Sequence, residues 1–384
     1  MTTTAADPWT TPERLALRAL ARDLVAREVA PNMARWEADG ELPRSLHAVF
    51  GEAGLLGVSF PEELGGGGGD PVDSAILTEE VLLGGGSGGV VASLFTHGIA
   101  LPHIVRNGTP ELVDRYVRPT LEGRLIGALA VTEPGGGSDV AGLRTTAVRD
   151  GDHFVVNGGK TYLTSGVRAD FVTTAVRTGG PGHGGISLLV IDRGTPGFTV
   201  DRRLDKMGWR CSDTAELGLS DVRVPVGNLV GEPGSGFVQI MQQFQSERLG
   251  LAVQAYATAQ RCLDLTVQWV KDRETFGRPL SSRQVVRHKV AEMARQTWLA
   301  TTCTRAAMAQ WQSTGDAVLE VSMAKNTACA ACDAVVDEAV QLHGGMGYLR
   351  DSEVERHYRD SRILRIGGGT DEIMNEVIAK LLAL

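Results

Sequence analysis

Three short stretches carry residue types able to do chemistry. The run Val131-Thr132-Glu133-Pro134-Gly135-Gly136-Gly137-Ser138-Asp139 offers consecutive backbone N–H groups with hydroxyls nearby. Glycine has no Cβ, so such a loop can approach a phosphate or an aromatic ring edge closely. Taken alone it reads equally well as a plain loop between strands. Gly84-Gly85-Gly86-Ser87-Gly88-Gly89 matches the dinucleotide fingerprint G-x-G-x-x-G. That fingerprint needs a preceding strand, and Thr78–Leu83 has a helical pattern, so a Rossmann nicotinamide enzyme is the minor reading. Cys329 and Cys332 form a Cys-x-x-Cys in an Ala-rich helical stretch. It lacks a second pair for zinc and a preceding strand for redox work, which leaves packing as its role. The histidines are dispersed, no pair has a metal-ligand spacing on one helix, and no metal site is expected. Gly86-Ser87-Gly88 lacks the outer spacing of a hydrolase nucleophile turn.

These stretches sit in a chain of 384 residues, long enough for two or three domains. The 48 glycines cluster without a period, which indicates tight loops rather than low complexity. A net charge of -8 and no dense Lys/Arg run argue against a nucleic-acid partner. Five scattered cysteines, an odd count, suit a reducing compartment. Met1–Trp9 lacks the cationic-then-apolar pattern of a secretory leader. Val81–Ile104 is free of formal charge but is broken by Gly, Pro and His, so no membrane span is expected. The expected location is cytoplasmic.

Apolar periodicity sorts the chain into three parts. Thr11-Pro12-Glu13 starts a helix with a capping hydroxyl, Pro in the first turn and an acid beside it. Helical patterns follow at 45–53, 72–83, 90–104 and 110–117. From about Leu125 the period shortens to two. Strands are expected at 125–132, 145–149, 153–156, 171–177, 186–191 and 215–224, with a hairpin turn at Asp150-Gly151 and a surface connection over 179–185. Helix returns at 237–272, 283–311, 317–342 and from Thr370 onward. The expected architecture is α+β with segregated parts: an N-terminal α-helical domain (1–123), a middle antiparallel β domain (124–235) and a C-terminal four-helix bundle (236–384).

Six motifs in order then point to a family. They are Val131-Thr132-Glu133-Pro134, Lys160-Thr161-Tyr162-Leu163-Thr164-Ser165-Gly166, Met207-Gly208-Trp209-Arg210, Asp221-Val222-Arg223-Val224-Pro225, Arg273-Glu274-Thr275-Phe276-Gly277 with Gln284, and Gln341-Leu342-His343-Gly344-Gly345. Over nearly the whole chain this order resembles the acyl-CoA dehydrogenases. The resemblance implies FAD between the β domain and the C-terminal helices. Leu129, Val131, Thr132, Gly137 and Ser138 would contact the flavin, with Ser138 also at the substrate entrance. Tyr162 and Thr164 would flank the isoalloxazine, with Thr164 near N5; the family usually has Trp at the Tyr162 position. Arg273, Phe276 and Gln284 resemble residues that reach the FAD of a neighbouring subunit, where a guanidinium suits a pyrophosphate. Gln341, Gly344, Gly345, Thr370 and Glu372 match further cofactor positions. A shared cofactor implies a homo-oligomer, expected to be a tetramer.

The same resemblance locates the base. Removing a proton α to a thioester needs a carboxylate near that carbon, and the enolate oxygen needs donors. Many members carry this Glu just before Gly-Thr ahead of the last helix. Here Ile366-Gly367-Gly368-Gly369-Thr370 has Gly368 at that position, which has no side chain. A subgroup resembling long-chain and isovaleryl-CoA dehydrogenases carries the Glu on the long helix after the β domain instead. Gln245-Ser246-Glu247-Arg248-Leu249 matches that arrangement, so Glu247 is the expected base. The plain alternative is a Glu paired with a cation on a helix face. Arg248, Gly368 and Gly369 would lie against the substrate. The implied activity is FAD-dependent conversion of an acyl-CoA to a trans-2-enoyl-CoA, the β-hydride passing to flavin N5 and electrons then to an electron-transferring flavoprotein. A carrier-protein-bound substrate, a flavin oxidase or monooxygenase, and a non-catalytic FAD scaffold are the alternatives.

Overall fold

A computed structural model describes residues 7–384. The absence of a leader was read partly from residues 1–6, which lie outside the described part. Thr11 caps the helix Pro12–Leu24, its hydroxyl accepting from the Arg14 N–H at 3.3 Å. An Asp70/Asp73 capping box opens the helix Pro71–Leu83. Glu79 on that helix is buried and ringed by Arg18, Arg305 and the Tyr256 hydroxyl. A buried carboxylate needs such partners. These partners tie the N-terminal helices to the C-terminal ones.

The expected helix over 90–104 is broken into Gly88–Leu94, His97–Ala100 and Pro102–Asn107. Two local features break it. The Thr96 hydroxyl bonds back to the Ala92 carbonyl at 2.7 Å, and Pro102 supplies no N–H.

Seven strands form one sheet: β1 (Gly127–Ala130), β2 (Thr146–Asp150), β3 (His153–Thr164), β4 (Phe171–Arg177), β5 (Ile186–Asp192), β6 (Phe198–Arg203) and β7 (Thr214–Pro225). The order is β1-β4-β2-β3-β7-β6, with β5 also on β4. Pairing is mainly antiparallel, as expected, but β1 runs parallel to β4. The β2–β3 turn differs by one residue from expectation. Asp150 pairs with His153, so Gly151 and Asp152 are the central residues, and of the two only Gly151 has positive φ, at +62°. That excludes type I′, which needs positive φ at both positions.

The long helix Gly236–Asp272 packs against Gln284–Thr314 and Val318–His343, and Asp371–Leu381 closes the bundle. Ala252, Ala255, Ala259, Ala324 and Ala328 are all buried at these contacts, and small side chains let the helices approach closely. Cys329 and Cys332 belong to this core; burial holds both thiols above their ordinary pKa. Among the described residues no single helix is long and apolar enough to cross a membrane.

Candidate functional site

Glu247 lies in the first third of the long helix, half-buried. Among the described residues none hydrogen-bonds its carboxylate. Burial raises its pKa, and the neighbouring Arg248 charge pulls it part of the way back. A cation-paired helix-face Glu would show an ion pair, and Glu247 has none within 4 Å among the described residues. Its Oε1 lies 3.8 Å from where a Cβ on Gly368 would stand, and Leu251 Cδ1 lies 2.7 Å from that point. The helix-borne carboxylate therefore stands beside the position that a side chain at 368 would occupy.

Arg248 Nε donates to the Gly368 carbonyl at 3.0 Å, and its guanidinium stacks over Phe244 at 5.4 Å. Gly368 and Gly369 take φ of +64° and +101°, which favours glycine. Thr370 caps Asp371–Leu381, its hydroxyl accepting from Ile373 N–H at 3.3 Å; Glu372 is exposed in the first turn.

One turn before Glu247, Gln243 donates to the Gly98 carbonyl at 3.2 Å. Thr96, two residues before Gly98, bonds Ser165 at the end of β3, Oγ to Oγ 2.8 Å. This relay ties the face that carries Glu247 to the segment that carries Tyr162 and Thr164. Tyr162 sits on a bulge in β3 with φ +60° and is 70% exposed. Strained backbone that presents an aromatic ring to open space is a common mark of a ligand wall. Thr164 is half-buried two residues on.

Leu129 ends in β1, and Val131 and Thr132 follow it, all half-buried; Gly137 and Ser138 are exposed. A Cβ on Gly135 or Gly136 would meet nothing within 4 Å. Glu133 does not face the open side. It folds back onto the buried Lys160 at 2.8 Å and accepts from the Arg144 and Thr145 N–H groups. Thr161 N–H donates to the Thr132 carbonyl at 3.0 Å. The 131–138 loop and the Tyr162 strand are thus one unit.

The remaining expected residues lie at the other end of the bundle. Arg273 closes the long helix, roughly 39 Å from Glu247 at about 1.5 Å per residue. Beyond it, Glu274–Thr275 and Arg278–Pro279 pair around Phe276 (φ +52°) and Gly277 (φ +74°). Phe276 is 96% exposed beneath the Arg283 guanidinium, next to Gln284. Trp269 stacks on His343 and bonds the Leu342 carbonyl, which brings Gln341, Gly344 and Gly345 to this end. The expected cofactor residues therefore form two clusters. Thr370 and Glu372 begin the helix that follows the Gly368 turn beside Glu247, and Arg273, Phe276, Gln284, Gln341, Gly344 and Gly345 lie at the far end.

Gly84–Gly89 belongs to neither cluster. It follows a helix, and a Cβ on Gly88 would stand 2.4 Å from both Gln254 Nε2 and Trp209 Nε1. These glycines are packing, and the dinucleotide reading falls.

Family models agree with this architecture. Those for the N-terminal, middle and C-terminal domains of acyl-CoA dehydrogenase match residues 11–124, 128–222 and 234–383. The chain belongs to the acyl-CoA dehydrogenase family. A probable acyl CoA dehydrogenase from Mycobacterium abscessus is 69% identical with a TM-score of 0.97, over 97% of this chain and 100% of that one. The mouse mitochondrial long-chain specific acyl-CoA dehydrogenase is 37% identical over 94% of this chain and 84% of its own. The bovine short-chain specific enzyme is 38% identical over 94% and 88%.

Sequence reasoning placed Lys160 in a motif without a role and missed Gln243 and Lys325; all three touch the family's site segments from behind. For Lys325 a signal was present: a Lys on a helix face otherwise of Val, Ala, Cys and one Ser is rare unless it has a buried partner.

Proposed function

We propose that Glu247 is the base of an FAD-dependent α,β-dehydrogenation of an acyl thioester. The observation that carries this is the carboxylate, unpaired among the described residues, beside the position a side chain at 368 would occupy. Burial raises its pKa and so makes it a stronger base for the α-proton, while the Arg248 charge opposes that rise.

The residues present fit FAD. Tyr162 offers an aromatic face, Gly135 and Gly136 leave the 131–138 loop open, and among the described residues no backbone acceptor takes the N–H of Gly137 or Ser138. Bound FAD would supply the acceptor for the β-hydride. Leu129, Val131, Thr132, Thr164, Thr370 and Glu372 would hold it, and Ser138 would border the thioester. Arg273, Phe276, Gln284, Gln341, Gly344 and Gly345 are too far along the helix to serve the same FAD from one chain. They fit the FAD of a second copy, which favours a homo-oligomer, read as a tetramer. Electrons would leave to an electron-transferring flavoprotein.

The test is anaerobic titration of the flavin-loaded protein with a panel of acyl-CoA thioesters, followed by flavin absorbance. Bleaching by at least one supports oxidation of the thioester; rapid return of the colour when O2 is admitted would make the protein an oxidase instead, and no bleaching by any would overturn the reading.

A further inference from the structure

Two buried cations hold the glycine turn that faces Glu247. Lys325 is 0% exposed, on a helix face shared with Val321, Ser322, Ala328 and Cys329, all buried. Placing an ammonium there is costly unless it is bonded. Its Nζ donates to the Gly369 carbonyl at 2.7 Å, as Arg248 Nε does to the preceding carbonyl of Gly368. Both peptides are trans, so each C=O points opposite to the N–H of the next residue. Drawing two successive carbonyls toward the cations turns the N–H groups of Gly369 and Thr370 the other way. Among the described residues no backbone acceptor takes the N–H of Gly368, Gly369 or Thr370. The turn that carries these three N–H groups leads into the helix Asp371–Leu381, where donors without a backbone acceptor suit an anionic oxygen. Glu247 Oε1 lies beside the turn.

We propose that Lys325 is a positioning residue for the enolate oxygen: by holding the Gly369 carbonyl, it aims the Thr370 N–H at the thioester and adds positive potential behind it. The inference rests on the dehydrogenase reading above. Lys325 does not touch the substrate; it acts through the 369–370 peptide, whose N–H it polarises. Other charged or titratable groups around it are Asp371, 3.9 Å away and paired to Arg365, then Arg248, Arg365 itself and the Cys329 thiol one turn along. Burial lowers the Lys325 pKa, and Asp371 opposes that.

The test uses flavin-loaded Lys325→Met, with Lys325→Arg as the rescue. Acetoacetyl-CoA is the probe, because it ionises to an enolate without being oxidised. The apparent pKa of the bound probe is expected to rise by about one pH unit in Lys325→Met, a tenfold weaker hold on the enolate. Flavin reduction by a saturated thioester should slow about ten- to a hundredfold, less than the cost of removing a direct oxyanion donor. The thioester KM should change less than about threefold, since the effect falls on the transition state. Lys325→Arg should restore most of both. An unchanged probe pKa in a folded, flavin-loaded Met variant overturns the proposal. Should that variant lose its flavin, the same titration on Lys325→Gln, which keeps a donor and drops the charge, decides with the same two outcomes. A wild type that neither ionises the probe nor is reduced by any thioester would sink the dehydrogenase reading itself, a result distinct from failure of the Lys325 role.

Discussion

The clusters Gly84–Gly89 and Gly135–Gly137 have nearly the same composition and opposite physical uses. In the first, the missing side chains are the space that neighbours fill. Val81 O stands 2.6 Å from a Cβ on Gly86, Trp209 and Gln254 crowd Gly88, and Cys211 Sγ lies 2.7 Å from Gly89. In the second, Gly135 and Gly136 border open space. Glycine therefore serves close packing at one place and access at the other. Gly368 combines both, being crowded by Leu251 and open to Glu247.

The sharpest way to break this comparison is to add one methyl at each place. Gly88→Ala should destabilise by about 1–3 kcal/mol, as overpacking does, and leave thioester KM unchanged; chemical denaturation and steady-state kinetics read the two effects. Phe276→Ala should change monomer stability by less than about 0.5 kcal/mol, its ring being exposed, yet lower flavin retention and subunit association, seen by gel filtration with flavin absorbance. Gly135→Ala should also stay within about 0.5 kcal/mol, since its φ is not positive and nothing is near, but should raise the thioester or flavin dissociation constant several-fold. A stability loss at Gly135 equal to that at Gly88 would end the distinction.

A smaller effect concerns pH. Glu247 has a folded-state pKa above its ordinary value of 4.5, so the folded protein binds that proton more tightly than the unfolded chain. Its contribution to stability falls as pH rises from about 4.5 through the raised value. Glu247→Gln removes the desolvated charge. Its thermal midpoint should exceed that of the wild type at about pH 8, with the gap closing toward about pH 5. A gap of opposite sign would mean that the carboxylate is stabilised by a partner.

Much of this was legible in the sequence, for physical reasons. Long amphipathic periods located the long helix to within a residue, Gly236 against Phe237. The exchange of Glu for Gly at 368, with Glu at 247, is a pattern of residue types and needs no coordinates. Strand β6 escaped because its residues are mostly exposed, so the two-residue period has little apolar contrast. The hairpin carrying Phe276 has two residues per strand, too short for any period to show. The break at Thr96 depends on a side chain bonding back to its own helix, which competes with the helical pattern rather than altering it. Lys325 and Gln243 act across distant segments, through carbonyls that any residue carries, so sequence spacing holds no trace of their partners.

The central claim is that Glu247 takes the α-proton. The most direct measurement is the rate of anaerobic flavin reduction by one reactive acyl-CoA, for the wild type and Glu247→Gln, both loaded with flavin. The account predicts that the variant binds the thioester and holds its flavin but is reduced at least about 10²-fold more slowly, the loss expected for a general base. Equal rates would contradict it and return Glu247 to the role of a buried, unpaired acid.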